Sequence, residues 1–174
     1  MRTTHRTAAP RPSAEVDAWC ARFEERCRAR GVRVTAQRLA VYRAVAGDLG
    51  HPTAVAVHQA LLRTIPSLPL ASVYRILESL EREGMLRRVG SLGGGGRYDA
   101  NVGPHQHLVC RRCGAMSDFL DPSFADLSLP SRETPGFKPE SLDVRILGTC
   151  EACAQRRVTS QRASTHRSAT RRAD

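Results

Sequence analysis

A chain of 174 residues accommodates one or two small domains with modest hydrophobic cores. Apolar residues make up 41% and charged residues 25% of the sequence, and the apolar runs are too short for a transmembrane helix. The formal net charge of +10 suggests nucleic acid as a partner but does not by itself establish it.

The positive charge is concentrated at the two ends of the chain. Residues 1–13 carry +3 and residues 155–174 carry +5, whereas 14–103 carry +4 and 104–154 carry −2. We expect 1–13 and 155–174 to be disordered, solvated tails, with auxiliary phosphate contacts as the alternative. The first folded half of the chain is therefore basic and the second is not.

The amino terminus gives no indication of export. It is basic but no apolar stretch follows it, so the sequence predicts a cytoplasmic protein with no membrane partner. Thiols stay reduced in that compartment, and the six cysteines therefore point to metal or redox chemistry rather than to disulfides.

Four helices are predicted in the first half of the chain. Apolar residues recur at helical spacing over 14–30, and Gly31 ends this first helix. Thr35 is placed to cap the second helix, and two more are predicted over 54–63 and 71–83. Cys20 and Cys27 on the first helix are predicted as buried apolar residues, and His58 as a helix-face residue.

A basic hairpin follows these helices. The short strands 85–90 and 96–100 are joined by the glycine-rich segment SLGGGG. Helices followed by such a hairpin give the element order of a winged helix-turn-helix, in which the last helix enters the major groove of DNA. A helical bundle with a surface hairpin is the alternative.

Two C-x-x-C pairs stand in the second half of the chain, which otherwise shows short β-like runs at 105–110, 114–120 and 142–147. Two such turns offer four soft sulfur ligands, which suit a closed tetrahedral site for structural Zn²⁺. The alternative is a set of unrelated redox or buried cysteines. The predicted zinc ligands, for one ion per subunit, are Cys110, Cys113, Cys150 and Cys153.

A second candidate site contains harder ligands. His105 and His107 alternate along a predicted strand, so both imidazoles face the same side. Three imidazoles and two carboxylates suit Mn²⁺, Fe²⁺ or Zn²⁺ bound reversibly. Taken singly, each histidine could instead be a surface residue. The candidate ligands of this regulatory metal are His51, Asp99, His105, His107 and Asp118.

The sequence resembles the ferric uptake regulator (Fur) family. The segments that carry the resemblance occur in the family's order over about residues 24–153: RVTAQRLAVYRAV, HPTAVAVHQAL, LPLASVYRILESLEREGMLRRV, RYDAN, PHQHLVCRRCG and CEAC. The resemblance implies an α+β homodimer with an N-terminal winged helix-turn-helix domain over 14–100. A small α/β dimerisation domain with the four-cysteine zinc site would follow over 101–154, with a hinge at 101–104.

The resemblance also implies how the regulatory metal works, by bridging the two domains through the five ligands named above. Two aspartates in that set resemble the family's peroxide-sensing branch, in which oxidation falls on the histidines matching His51 and His105. DNA contacts map to Ser72, Tyr74 and Arg75. We further expect phosphate contacts from Arg87, Arg88 and Arg97 near the wing.

The sequence departs from the family at several positions. Gln106 stands where some members carry a ligand of a further site, and 136–148 lacks a histidine that several relatives have, so no third metal site is expected. Pro130 and Pro135 interrupt what is usually a longer helix. Ala36 stands where proline is usual.

The predicted function is therefore a metal-dependent repressor that binds a pseudo-palindromic double-stranded DNA operator through metal-driven hinge closure. The signal would be peroxide, iron or both, with Fe²⁺ or Mn²⁺ as the regulatory ion; sensing of zinc, manganese or nickel is the alternative. A zinc-stabilised protein-interaction module without DNA binding is the alternative of a different class. No small organic substrate and no catalytic residues are predicted, since no nucleophile or general-base motif accompanies the ligands.

Overall fold

The computed structural model describes residues 10–90, 95–124, 127, 135–139 and 142–156. Helices come first and strands follow, which confirms the predicted α+β class. The helices are α1 (Ser13–Ala29), α2 (Ala36–Ala46), α3 (Ala54–Leu61) and α4 (Leu70–Arg82). The strands are β1 (Arg87–Val89), β2 (Arg97–Asp99), β3 (Gln106–Cys110), β4 (Met116–Phe119) and β5 (Arg145–Gly148). A 3-10 helix lies at Pro122–Phe124, and residues 151–156 are helical again.

Short polar side chains fix the starts of α2 and α3. The Oγ1 atom of Thr35 accepts a hydrogen bond of 3.2 Å from the backbone N–H of Arg38, as its capping position predicts. Thr53 does the same for the N–H of Ala56, also at 3.2 Å. Because Thr53 comes two residues after His51, this cap fixes where the chain leaves the candidate metal ligand and enters α3.

The helical half is held together by a continuous apolar core. The rings of Phe23 from α1 and Tyr42 from α2 stack with centroids 4.1 Å apart. Val73, Leu77 and Leu80 form the buried face of α4, as helical spacing requires. The opposite face of α4 is thereby left exposed to solvent.

Two arginines, one in α1 and one directly after it, bind the carboxyl end of α4. Arg26 Nη2 donates a hydrogen bond of 2.6 Å to the carbonyl of Gly84, and Arg30 Nη1 donates one of 2.5 Å to the carbonyl of Glu83. Cations at the carboxyl end of a helix satisfy free carbonyls and interact favourably with the helix dipole. The orientation of α4 is therefore set from α1 as well as by the core.

The hairpin of β1 and β2 is antiparallel, with Arg88 opposite Tyr98. On its other side β2 contacts the segment after His51, because Tyr98 N–H donates to the carbonyl of Pro52 at 3.0 Å and Thr53 forms a bridge with Arg97. The wing is thus joined directly to the entry of α3.

A second sheet has the strand order β4-β3-β5, with β3 antiparallel to β4 and parallel to β5. Its buried apolar cluster contains Val109 and Met116 together with Val89 of β1. Two of these three residues come from this sheet and the third from the wing. Among the described residues the sheet therefore has little core of its own, and it packs against the wing.

Most of the two predicted tails lies outside the described part of the chain. Residues 1–9 and 157–174, with His5 and His166, lie outside the described residues, as does Pro130. Residues 10–12, assigned to the tail from sequence, are instead attached: Arg11 N–H donates to the carbonyl of Gly47 at 3.0 Å. None of the helices in the described part of the chain combines the length and hydropathy needed to cross a membrane.

Two leucines offer a matched test of the core. Leu77 is fully buried and Leu62 is 38% exposed. We expect Leu77→Ala to lower the free energy of unfolding by about 2–5 kcal/mol, because it leaves a cavity, and Leu62→Ala to lower it by less than about 1 kcal/mol. Urea unfolding of the zinc-loaded protein followed by circular dichroism measures both values. Equal losses would contradict this description of the core.

Candidate metal centres and DNA-reading surface

The two C-x-x-C pairs come together beside the second sheet. Cys110 ends β3, Cys113 lies in the turn after it, and Cys150 and Cys153 follow β5, which is parallel to β3. The four sulfur atoms all lie within 4.8 Å of one another, and Cys113 Sγ is 3.7 Å from Cys150 Sγ. Four sulfurs at the usual bond length from a tetrahedral Zn²⁺ would be roughly 3.8 Å apart.

The chemistry of these thiols fits a divalent ion. Burial works to raise the pKa of Cys110, but backbone N–H groups of Cys150, Cys113 and Arg112 donate to its sulfur and lower the pKa to about 6. Desolvation and its thiol neighbours raise the pKa of Cys153 to about 12. Four adjacent sulfurs do not all ionise without a cation, and Zn²⁺ supplies that charge while leaving no open coordination position.

Replacement of a sulfur ligand gives a direct test of this site. We expect Cys150→Ser to abolish stoichiometric zinc binding and to unfold the second sheet, because the sheet has a small apolar cluster and depends on the ion. Cys20→Ala is the matched control: Cys20 is buried in α1 away from the four ligands, so this variant should retain one zinc per subunit. Metal analysis and thermal melting measure both effects; full zinc content in Cys150→Ser would exclude these ligands.

The five harder ligands also converge, and they come from both halves of the chain. His51 lies between α2 and α3, Asp99 ends β2, and His105 precedes β3. His107 in β3 is paired directly with Asp118 in β4. One ligand atom from each of these five residues lies within 4.8 Å of every other.

Short distances between nitrogen and oxygen atoms define this second cluster. His51 Nε2 lies 2.8 Å from Asp118 Oδ1, and His105 Nε2 lies 2.9 Å from Asp99 Oδ2. His105 Nε2 and His107 Nε2 are 3.0 Å apart. All three Nε2 atoms therefore face the same small volume, which the two carboxylates close.

Several of these close contacts are badly aligned as hydrogen bonds. His51 Nε2 and Asp99 Oδ2 are buried and make no hydrogen bond of acceptable geometry within the described part of the chain. Lone pairs aimed at a common point, rather than at one another, give this pattern. Three imidazoles and two carboxylates fit Mn²⁺, Fe²⁺ or Zn²⁺ at that point.

The charges of the site depend on one another. Burial works to lower the pKa of His51, but the carboxylates of Asp118 and Asp99 raise it to about 9. The pKa of His105 is also raised, and the main cause is the neighbouring carboxylate of Asp99. Burial works to raise the pKa of Asp99, yet the adjacent imidazoles of His105, His107 and His51 lower it below its ordinary value. Protons and a metal ion thus compete for the same nitrogens.

The backbone of His51 has an uncommon conformation. Its φ is 58°, in the left-handed region. No other non-glycine residue in the described part of the chain has a positive φ. That conformation costs a non-glycine residue about 1–2 kcal/mol. Surrounding contacts, including the 3.3 Å hydrogen bond that His51 N–H donates to the carbonyl of Asp48, must maintain it.

Asp143 was not identified from sequence. Its Oδ1 atom lies 4.0 Å from His107 Nδ1, the nitrogen that faces away from the cluster, and its Oδ2 accepts from Arg145 Nε at 3.1 Å. At this distance the contact is electrostatic, and His107 Nδ1 makes no hydrogen bond within the described part of the chain. The parallel pairing of β3 with β5 produces this proximity, and no local motif indicates it.

The predicted DNA-reading residues lie on the outer face of α4. Tyr74 is 41% exposed, and Arg75 is also exposed. Ser72 is half-buried, and its Oγ accepts a hydrogen bond of 3.2 Å from Arg75 Nη2. Gln37 and Arg38 of α2 line the adjacent groove, a proximity that follows only from the packing of α2 on α4.

The three wing arginines differ in their surroundings. Arg88 is exposed. Arg87 Nη2 donates to the carbonyl of Val102 at 2.9 Å in the predicted hinge. Arg97 donates to the carbonyls of Gly50, His51 and Gly114 at 3.0, 2.9 and 3.2 Å. The structure thus places Arg87 and Arg97 against the protein backbone, whereas sequence reasoning expected phosphate contacts.

Known proteins resemble this chain in sequence and in fold. A model of the ferric uptake regulator family matches residues 29–147, a segment that contains all five ligands of the second cluster. The peroxide operon regulator of Bacillus subtilis strain 168 is 29% identical over 126 residues, which cover 72% of this chain and 87% of that protein.

Two solved structures show the same fold. One is the ferric uptake regulator of Helicobacter pylori, described as having three functional metal binding sites. It is 21% identical with a TM-score of 0.60, and the matched region covers 80% of this chain and 93% of that chain. A zinc uptake regulator solved with zinc and DNA is 23% identical with a TM-score of 0.62 and covers 85% of this chain and 99% of its own.

Proposed function

The chain belongs to the ferric uptake regulator family, and on that premise we propose that it represses transcription as a metal-responsive homodimer on a pseudo-palindromic DNA operator. Members of this family are transcriptional regulators and not enzymes. The observation that carries the proposal is the cluster of His51, Asp99, His105, His107 and Asp118, whose ligands come from both halves of the chain.

A site shared between two domains links metal binding to their relative position. His51 and Asp99 belong to the winged-helix half, and His107 and Asp118 belong to the second sheet. All of them reach one ion only when the domains are closed on each other. An ion bound in that arrangement shifts the population of conformers toward the closed one. Changing the population from mostly open to mostly closed requires about 5.5 kcal/mol of differential affinity.

The closed form would match the spacing of the DNA. In a symmetric dimer two reading helices must reach half-sites about one helical turn apart. Fixing the hinge fixes the separation of the two α4 helices. On each half-site, Arg75 would contact a base edge or phosphate and Tyr74 a thymine methyl or sugar. Arg88 in the wing would contact a phosphate.

The signal we propose is peroxide acting on the iron-loaded protein. Support comes from the similarity to the peroxide operon regulator and from the pairing of aspartates with three imidazoles. Fe²⁺ in this site would supply one-electron chemistry with peroxide that Mn²⁺ does not. His51 and His105 hold their Nε2 atoms toward the shared volume and would be the side chains oxidised. Loss of either ligand would open the hinge.

Fluorescence anisotropy on the protein's own promoter DNA tests the proposed signal. We expect zinc-loaded protein to bind when Fe²⁺ or Mn²⁺ is added without oxygen, and a few equivalents of hydrogen peroxide to release only the iron form. Mass spectrometry should then find added oxygen on His51 or His105. If the iron complex stays on DNA, the protein responds to the availability of a metal, whether iron, zinc, manganese or nickel, and peroxide is excluded as the signal.

Removal of the bridging histidine tests hinge closure. We expect His51→Ala to abolish the increase in DNA affinity that Mn²⁺ produces while retaining one structural zinc per subunit, because the cysteines lie apart from His51. His58→Ala is the matched control, since His58 lies in α3 and contacts the carbonyl of Leu68 at 2.9 Å. Full stimulation by Mn²⁺ in His51→Ala would rule out closure through this residue.

A further inference from the structure

Arg97 contacts three segments of the chain that belong to different parts of the proposed mechanism. The segments are the wing strand that carries it, the turn containing Gly50 and His51, and the zinc-binding turn containing Gly114. A guanidinium carries five donors on three nitrogens in a rigid planar fork, so it can donate to acceptors that lie in different directions, whereas an ammonium donates from a single nitrogen. This side chain therefore joins the wing, the turn of His51 and the zinc-binding turn through hydrogen bonds of a single residue.

The contact with His51 is made at the strained part of the backbone. Arg97 Nη1 donates a hydrogen bond of 2.9 Å to the carbonyl of His51 and one of 3.0 Å to the carbonyl of Gly50. These carbonyls flank the residue whose φ is 58°. Because the direction of the imidazole depends on this backbone, the hydrogen bonds of Arg97 help to aim His51 at the regulatory site.

The contact with Gly114 reaches the other domain. Gly114 follows the zinc ligand Cys113, and its φ of 68° gives the left-handed turn that closes the C-x-x-C knuckle. Its N–H donates to the carbonyl of the zinc ligand Cys110 at 2.9 Å, and its own carbonyl accepts from Arg97 Nη2 at 3.2 Å. The position of this acceptor depends on the zinc turn being formed.

We propose that Arg97 is a positioning residue that connects the zinc-binding turn to His51 and thereby stabilises the closed arrangement that the regulatory metal requires. The inference rests on the proposed function. The small apolar contact of Val89 with Val109 and Met116 lies across the same junction of wing and sheet. Arg97 adds to that contact a directional link, which apolar packing does not provide.

Three variants separate this role from a contact with DNA. Arg97→Gln removes the charge and the fork, Arg97→Lys keeps the charge and removes the fork, and Arg88→Gln removes an exposed wing arginine. Two measurements are made on zinc-loaded protein: the affinity for Mn²⁺ without DNA, from the electron paramagnetic resonance signal of free Mn²⁺, and the affinity for operator DNA at several salt concentrations with saturating Mn²⁺.

We expect both Arg97 variants to retain one zinc per subunit and to bind Mn²⁺ roughly 10–100-fold more weakly, as for other residues that orient a metal ligand. At saturating Mn²⁺ the slope of log affinity against log salt should equal that of the wild type. Arg88→Gln should show the reverse: wild-type Mn²⁺ affinity and a slope smaller by about 0.9 for each phosphate that the variant no longer neutralises.

Other results overturn the inference. Wild-type Mn²⁺ affinity in Arg97→Gln would assign Arg97 to DNA if the salt slope is reduced, and to no role if it is not. Wild-type Mn²⁺ affinity in Arg97→Lys would show that a positive charge alone is enough and would overturn the role given to the fork. Loss of zinc from Arg97→Gln would make it a support of the zinc turn alone. Failure of the proposed function is seen separately, because wild-type protein would then show no increase in DNA affinity with Mn²⁺.

Discussion

The closed form of this protein depends on five ionisable side chains that neither domain can bring together alone. Three imidazoles and two carboxylates meet where the winged helix, the hinge and the second sheet adjoin. Burying so many polar groups is unfavourable unless each is compensated, and here they are compensated mainly by one another and by an ion. The same residues that give the regulatory site its affinity therefore also oppose closure without a cation, which is the property that a metal-dependent switch needs.

The two metal centres differ because the two halves of the chain have different means of folding. The helical half has a continuous apolar core whose members run from Val16 to Ala100, while among the described residues the second sheet shares a cluster of three buried side chains with the wing. Four thiolates around Zn²⁺ provide the sheet with the stability that apolar burial does not. That site is all sulfur and closed, whereas the regulatory site combines nitrogen and oxygen, which bind divalent ions more reversibly.

Much of this organisation could be predicted from the sequence because the signals are local. Helical spacing gave α1–α4 to within about two residues, and the cap at Thr35 formed where a side-chain oxygen precedes an apolar run. Residue type and spacing predicted the four cysteines and the His105/His107 pair, whereas His51, Asp99 and Asp118 were assigned to the second set through the family resemblance. Contacts between residues distant in sequence could not be predicted in this way. Asp143 lies near His107 because two distant strands pair in parallel, and the acceptors of Arg97 are backbone carbonyls, which have no sequence signature. Basic residues beside a wing indicate DNA equally well whether their partners are phosphates or the protein itself.

The uneven burial of the five regulatory ligands has a consequence for kinetics. His51, Asp99, His105 and His107 are each less than 9% exposed, while the side chain of Asp118 is 36% exposed. Asp118 therefore marks the edge at which the site meets bulk solvent. Ions and small neutral oxidants would enter past this carboxylate, and a bulky chelator would have to wait for the domains to part. Metal exchange is then governed by the lifetime of the closed state rather than by the strength of any single bond, so the protein would retain its last loaded state for a time after the surrounding metal concentration has changed.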